Sequence, residues 1–247
     1  MTYIRKFYYH LFLLFFIVIG IHFSINVGIT HDEIYDYNVW IANKNLILNF
    51  FFSNNLDTSF LEGGGKFYGS GFHYFSSILE IFTTNLPQLS DYNEIGKTIL
   101  SKHISVFLLF LLSGLILKKI IKIITNNNHH ANLSSIFYLT YPYLLGHSFF
   151  NIKDIPFLTI WLICTYFIVR ITKNYFLKEV ILKKHLIFLS LFTGYLLSIR
   201  ITGVLILIQY LIFILVITNA KKINFFYFIK KFFKEILVSI FIIFSFY

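Results

Sequence analysis

Apolar residues come in long runs that are separated by shorter polar or charged segments. A helix needs about 20 apolar residues to cross the hydrocarbon core of a bilayer, which is roughly 30 Å thick. Several of the runs approach or reach that length. The pattern therefore predicts an all-α, polytopic transmembrane helical bundle of about seven spans, at residues 7–29, 98–117, 133–150, 155–171, 186–199, 201–218 and 236–247.

The run 186–219 is interpreted as two spans that reverse near residues 200–203. As one straight helix it would be about 51 Å long, well over the thickness of the core. The segment 186–199 alone is short for a full crossing. The chain ends at Tyr247 inside an apolar run, which favours an incomplete seventh span and a fragment or truncated product.

Residues 30–97 form a long, mainly polar segment that predicts a loop on the outer face of the membrane. Its two apolar stretches, 46–52 and 72–82, are too short to span and suit interfacial helices that lie along the membrane. Tyr68 and Gly69, with the glycines before them at 63–65, could let the backbone come close to a ligand. The whole chain, 1–247, is predicted to be one transmembrane domain.

Composition supports the membrane interpretation. Hydrophobic residues make up 57% of the chain and charged residues 13%, whereas soluble domains average about 45–50% and about 25%. The one cysteine, Cys164, excludes an intramolecular disulfide and a cysteine-based metal site.

Charge distribution predicts the orientation. With a cytoplasmic N-terminus, most of the 21 Lys and Arg fall inside and most of the 11 Asp and Glu fall outside, as the positive-inside rule requires. A single span over 186–219 would move the basic segment 220–234 outside and break this pattern. The net charge of +10 therefore reflects topology. Because no basic-aromatic recognition motif is present, nucleic-acid binding is not expected.

Candidate chemistry begins with Asp32 and Glu33, which directly follow the first span. One interpretation is a solvated acidic helix end. The other is a general base or an acceptor-positioning carboxylate, because a nearby low-dielectric surface makes a carboxylate a better proton acceptor. Asp36 lies four residues on and shares a helix face with Asp32, as an extra ligand or as a solvated group.

The second candidate group is the short outer turn 146–156, which contains His147, Asn151, Lys153 and Asp154. Pro156 suits the first turn of the following helix, and Asp154 is then placed to cap that helix. The alternative is a substrate site, because polar groups at membrane depth are costly and tend to mark function.

Two further basic sites accompany these acids. Arg200 stands alone at the predicted reversal, either snorkelling to headgroups or clamping a phosphate. Lys102 and His103 start the second span, where ordinary anchoring competes with a site role. In the predicted topology Asp32, Asp154 and Arg200 all lie on the outer side, which predicts an anion site beside carboxylates and open to lipid.

This order of features resembles the GT-C type integral-membrane glycosyltransferases, in particular the polyprenyl-phosphate mannosyltransferase-like group called glycosyltransferase family 39. The shared features are a first span followed by an acidic pair, a long outer loop, a basic residue at the second span, the second acidic loop at 147–156 and a broken helix at 194–203 with Arg200.

The resemblance implies transfer of a hexosyl or pentosyl unit from a polyprenyl-phosphate donor to a protein, lipid or glycan hydroxyl, with inversion, at the periplasmic or lumenal face. It implies that Asp32 deprotonates the acceptor, with Glu33 and Asp154 in the catalytic set. The donor phosphate would be bound by Lys153, Arg200, His147 and His103. No metal ligand is predicted, but some relatives use a divalent cation, and the carboxylates leave that open.

Two other classes stay open at this point. A transporter or flippase for a lipid-linked or anionic solute would place ionisable groups near the bilayer midplane, often on inverted repeats, and no repeat is visible. A non-catalytic membrane scaffold would tolerate neutral replacements at Asp32 and Asp154.

Overall fold

The described part of the chain is all-helical. A computed structural model of the protein describes residues 2–52, 69–178, 181–226, 228–230 and 232, and no strand occurs within them. Short 3₁₀ helices lie at Pro87–Leu89 and Ile201–Leu205. The predicted span 236–247 and the glycines at 63–65 lie outside the described residues. The α-helices are α1 (Thr2–Asn26), α2 (His31–Phe52), α3 (Gly71–Thr83), α4 (Glu94–Thr125), α5 (Asn128–Leu139), α6 (Pro142–His147), α7 (Asp154–Lys178), α8 (Lys183–Ile199) and α9 (Ile206–Lys221).

Among the described residues, four helical segments are long and apolar enough to cross a membrane: Phe7–Asn26, Glu94–Thr125, Asp154–Lys178 and Ile201–Lys221. They match four of the predicted spans. On the first and last of them, large apolar side chains such as Phe15 and Ile208 are more than half exposed, as in a lipid-facing surface. These features indicate a membrane protein, and the total of about seven spans is not confirmed.

The predicted span 133–150 is interrupted. Helix α5 ends at Leu139, and α6 begins at Pro142 after Tyr141, which adopts an extended conformation. A residue that precedes proline is sterically disfavoured from the helical region, so Pro142 breaks the run. The predicted span 186–199 lies within α8, a single helix of 17 residues that is not one of the four candidate spans among the described residues.

The predicted loop 30–97 is largely helical where it is described. The stretch 46–52 is the end of α2, a helix of 22 residues, and is not a separate interfacial helix. Residues 31–52 contain neither glycine nor proline, so nothing stops the helix between the polar and apolar parts. The stretch 72–82 lies within the helix α3, and its interfacial position stays a prediction.

The described residues fall into two compact units, Met1–Leu111 with Leu139–Pro156 and Leu112–Tyr138 with Phe157–Tyr247, here called the first and second units. In the first unit α1 and α4 are antiparallel, because Phe16 packs on Phe110 whereas Ser24, two turns further along α1, bonds to His103. Gly20 permits this close approach, since a Cβ atom there would lie 1.8 Å from the Phe107 ring.

The second unit contains the predicted reversal. Arg200 is extended between α8 and the 3₁₀ helix 201–205, and α9 follows. The hydroxyls of Thr193 and Tyr210 lie 2.7 Å apart, whereas a continuous helix would separate those residues by about 25 Å. Helices α8 and α9 therefore form a hairpin, and the prediction of a turn at 200–203 is confirmed.

Candidate active site

The start of α2 is fixed by a capping interaction. Helix α1 ends at Asn26, and Gly28 takes a positive φ of 83°, which glycine adopts without strain. The Glu33 Oε2 atom then accepts hydrogen bonds from the Thr30 backbone N–H at 2.7 Å and from the Thr30 hydroxyl at 2.8 Å. A glutamate three residues after a threonine is the capping-box arrangement, so it sets the first turn that carries Asp32.

The second oxygen of Glu33 joins α2 to α4. Glu33 Oε1 forms a short hydrogen bond with His103 Nε2, and His103 Nδ1 lies 3.0 Å from the Ser24 carbonyl oxygen. A carbonyl only accepts, so Nδ1 carries a proton and donates it, and a further proton lies between Nε2 and Glu33. Both imidazole nitrogens are thus occupied inside the protein, which leaves neither for the phosphate that His103 was predicted to bind.

Asp36 ties α2 to the turn before α7. Its Oδ1 atom lies 2.7 Å from Lys153 Nζ, and Asp36 is 5% exposed whereas the Lys153 side chain is 33% exposed. Burial raises the pKa of the Asp36 carboxyl, Lys153 opposes that rise, and Asp32 and Glu33 add to it. Asp36 is therefore not a solvated group, and its ion pair with Lys153 holds the lysine in place.

Lys102 is buried without a carboxylate partner among the described residues. Its ammonium lies 3.1 Å from His73 Nδ1 and within 5.5–5.7 Å of the Tyr37 and Trp40 ring centres. Trp40 stacks on His73 at 5.5 Å with an interplanar angle of 10°. Burial lowers the pKa of His73 well below its usual value, and the charges of Lys102 and Lys153 lower it further. A neutral His73 therefore accepts the lysine hydrogen bond.

These groups form three polar pairs within the first unit: Glu33 with His103, Asp36 with Lys153, and His73 with Lys102. The pairs join α2 to α4, α2 to the turn before α7, and α3 to α4. The prediction that Lys102 and His103 anchor α4 at a lipid interface is wrong, because the two side chains are 2% and 0% exposed. Polar groups buried this deeply are costly unless paired.

The turn 148–153 is organised by Asn151. Its Oδ1 atom accepts the backbone N–H groups of Lys153 at 3.1 Å and Asp154 at 2.8 Å. Its Nδ2 group donates to His147 Nδ1 and to Asp154 Oδ2, each at 3.0 Å. Asn151 therefore caps α7, a role that the sequence had suggested for Asp154.

The same turn packs against the antiparallel helices α1 and α4 through one aromatic residue. The Phe149 ring lies 5.8 Å from Phe23 of α1 and 6.1 Å from Phe107 of α4, centre to centre. This packing, together with the Asp36–Lys153 ion pair, fixes the turn against the start of α2.

Two of the predicted catalytic carboxylates are accessible and one is not. Asp32 and Asp154 are exposed, whereas Glu33 is 4% exposed with both oxygens engaged. Asp32 lies one helical turn before Asp36 on α2, and its charge contributes to the raised pKa of the Asp36 carboxyl. The first unit contains six of the predicted site residues: Asp32, Glu33, His103, His147, Lys153 and Asp154. The exposed Arg200 belongs to the second unit.

Sequence reasoning missed His73 and Trp40, and it left Asp36 undecided. The positions 33, 36, 37 and 40 recur at helical spacing, a signal that could have placed these residues on one face of α2. No comparable pattern marks His73, which lies 29 positions from its partner Lys102.

Among the described residues, no three His, Cys, Asp or Glu side chains are grouped so that they could hold a metal ion. No protein-family model, curated protein or solved structure matches the chain.

Proposed function

We propose that the protein is an integral-membrane glycosyltransferase that moves a hexosyl or pentosyl unit from a polyprenyl phosphate to an acceptor hydroxyl. One observation carries this proposal. Asp32 is an exposed carboxylate on a helix turn whose position is fixed by the hydrogen bonds of Glu33 with Thr30 and His103, just after a candidate membrane span. A reactive carboxylate held by a rigid frame at a membrane boundary suits an acceptor from water and a donor from lipid.

In the proposed reaction Asp32 takes the proton of the acceptor hydroxyl. The acceptor oxygen attacks the anomeric carbon from the face opposite the phosphate, so the configuration inverts. The bond between the anomeric carbon and the phosphate oxygen breaks, and polyprenyl phosphate leaves with the electron pair. The exposed Asp154, which Asn151 holds, orients the acceptor.

The departing phosphate requires a cation that is accessible yet fixed. Lys153 meets both conditions, because a third of its side chain is exposed and Asp36 holds its ammonium at 2.7 Å. His147 accepts a hydrogen bond from Asn151 at Nδ1, so its own proton sits on Nε2 as a further donor. Arg200 stays a predicted phosphate ligand.

The proposal includes about seven spans, a cytoplasmic N-terminus and a site on the outer face. The antiparallel arrangement of α1 and α4 supports alternate crossing of the first two spans. The α8–α9 hairpin supports two further antiparallel segments, and the proposed orientation assigns the basic residues after α9 to the cytoplasmic side by the positive-inside rule.

The test uses membranes that contain the full chain, incubated with a panel of labelled polyprenyl-phosphate sugars and with native protein, lipid and glycan acceptors. We expect transfer from one donor class that membranes lacking the protein do not show. Sealed vesicles, in which the donor starts in one leaflet, distinguish transport from transfer. Movement of intact donor to the other leaflet with no product would replace this proposal by the flippase function.

A further inference from the structure

The end of α9 carries an unusual helix stop. The Lys222 N–H donates to the Asn219 carbonyl at 3.3 Å, and the Ile223 N–H donates to the Thr218 carbonyl at 3.0 Å. Lys222 itself adopts the left-handed conformation, with φ 53° and ψ 41°. Glycine usually occupies this position because it has no Cβ to clash. A lysine here places a cation at the helix end at a conformational cost.

A surface groove lies beside this stop, with a volume of about 590 Å³. One part of its lining is polar and carries a positive charge, and the rest is apolar. The polar part includes Asn219 and Lys222, and the apolar part consists of Leu215, Val216, Ile223 and Phe225.

The polar part is suited to an anion. Asn219 and Lys222 are both exposed, and the Lys222 ammonium has no carboxylate within ion-pair distance among the described residues. Helix C-termini normally repel anions through their free carbonyl groups. Here the carbonyls of Thr218 and Asn219 already accept hydrogen bonds, which reduces that repulsion.

The apolar part is suited to an acyl chain. The groove follows the last turns of the candidate span Ile201–Lys221, so it lies where apolar helix surface meets the headgroup region. Leu215 and Val216 are each 52% exposed. A soluble anion would leave the apolar part of the groove exposed to water. A choline headgroup would bring a second positive charge close to Lys222, which is unfavourable.

We propose that this groove binds one anionic phospholipid, with its phosphate at Lys222 and Asn219 and an acyl chain along Leu215 and Val216. The inference does not depend on the proposed glycosyl transfer. Cationic residues at the end of a membrane span commonly attract anionic lipids, and the groove would turn that general attraction into a defined site.

The experiment measures the affinity of the purified full chain in neutral detergent for phosphatidylglycerol and phosphatidylcholine, by native mass spectrometry and by the shift in thermal midpoint. Lys222→Asn removes the charge and keeps a residue that tolerates the left-handed conformation. Lys221→Asn removes the neighbouring charge, which does not line the groove, and is the matched control.

We expect wild type and Lys221→Asn to prefer phosphatidylglycerol and Lys222→Asn to bind it about fivefold more weakly. Lys222→Arg should retain the preference. Any of three results would overturn the proposal. Phosphatidylcholine could bind as tightly as phosphatidylglycerol, Lys222→Asn could bind phosphatidylglycerol as tightly as wild type does, or glycerol 3-phosphate could displace the lipid at the same concentration. Stabilisation that tracks dimer formation without lipid would also overturn it, because the groove would then be covered by a second copy.

Discussion

Two residues that are adjacent in sequence have different surroundings at the start of α2. Successive side chains on a helix point about 100° apart, so Asp32 is exposed while Glu33 turns inward against α4. Glu33 uses one oxygen for Thr30 and the other for His103. The acidic pair therefore divides into a group available for chemistry and a group that positions it.

Replacement of Glu33 tests the positioning role. In Glu33→Gln the amide oxygen can still accept from Thr30 and the amide N–H can donate to His103 Nε2, so we expect a loss in unfolding free energy of about 1 kcal/mol or less. Glu33→Ala leaves the buried His103 without a partner at Nε2, removes the acceptor of the exposed Thr30, and should cost about 3 kcal/mol. The measurement is SDS-titrated unfolding in mixed micelles. Equal losses in the two variants would show that these hydrogen bonds do not hold the turn.

Because the pKa of the buried His73 imidazole is lowered, we expect the stability of the protein to depend on pH. This pKa is lowered by burial and by Lys102 and Lys153, so the unfolded chain takes up a proton below about pH 6.5 while the folded protein stays neutral. The unfolded state then binds more protons, and stability falls as the pH falls, by up to about 1.4 kcal/mol per pH unit.

The variant His73→Asn keeps an acceptor for Lys102 and cannot titrate. The difference in unfolding free energy between wild type and His73→Asn should be constant above pH 7 and should shrink as the pH falls from 6.5 to 5. Subtraction removes the contribution of other titrating groups. A difference that stays constant over this range would mean that His73 is protonated equally in both states.

Residue types alone located part of the candidate site. Asp32, Lys153 and Asp154 are noticeable because charged residues are rare in this chain, and the structure leaves all three at least partly exposed. Lys102 is noticeable for the same reason, but its burial against Trp40 depends on the packing of α2 and α3 onto α4. Such long-range contacts have no periodic signature in sequence, so His73 could not be found that way.

At the scale of helices, local signals account for most boundaries. Thr30 and Glu33 form a capping box that predicts a helix beginning at His31, and Pro142 predicts the break between α5 and α6. Neither signal is part of the pattern of long apolar runs from which the spans are predicted. The reversal at Arg200 was predicted from excess length, and the Thr193–Tyr210 contact agrees with it.

The close crossing of α1 and α4 depends on one glycine. In Gly20→Ala the new methyl group would lie 1.8 Å from the Phe107 ring, and that ring cannot move freely because Phe16 and Phe149 pack against it. Despite the better helix propensity of alanine, we expect a net loss of about 1–3 kcal/mol in unfolding free energy.

The matched control is Gly146→Ala, because no atom lies within 4 Å of a Cβ built at that helical glycine. It should be neutral or slightly stabilising. Shortening the obstructing ring in the double variant Gly20→Ala/Phe107→Leu should recover part of the loss. If Gly20→Ala is as stable as Gly146→Ala, the α1–α4 packing described above is incorrect.

At the scale of the whole molecule, composition and charge were sufficient to predict a helical membrane protein. Four candidate spans follow from length and hydropathy, and the antiparallel α1–α4 and α8–α9 pairs fit alternate crossing. The number of crossings is harder to predict, because α8 has 17 residues and the α5–α6 segment is broken. Length alone does not decide whether such segments cross a bilayer.

The most direct test of the account is the separation of donor binding from transfer in Asp32→Asn. Binding of the labelled polyprenyl-phosphate sugar and its transfer to acceptor would be measured in the same membranes. The control is Glu94→Gln, which removes a carboxylate that is 89% exposed at the start of α4. We expect donor binding within about threefold of wild type in both variants. We expect transfer to be reduced about 10²–10⁴-fold in Asp32→Asn and unchanged in Glu94→Gln. Transfer by Asp32→Asn at the wild-type rate would show that Asp32 is not the general base.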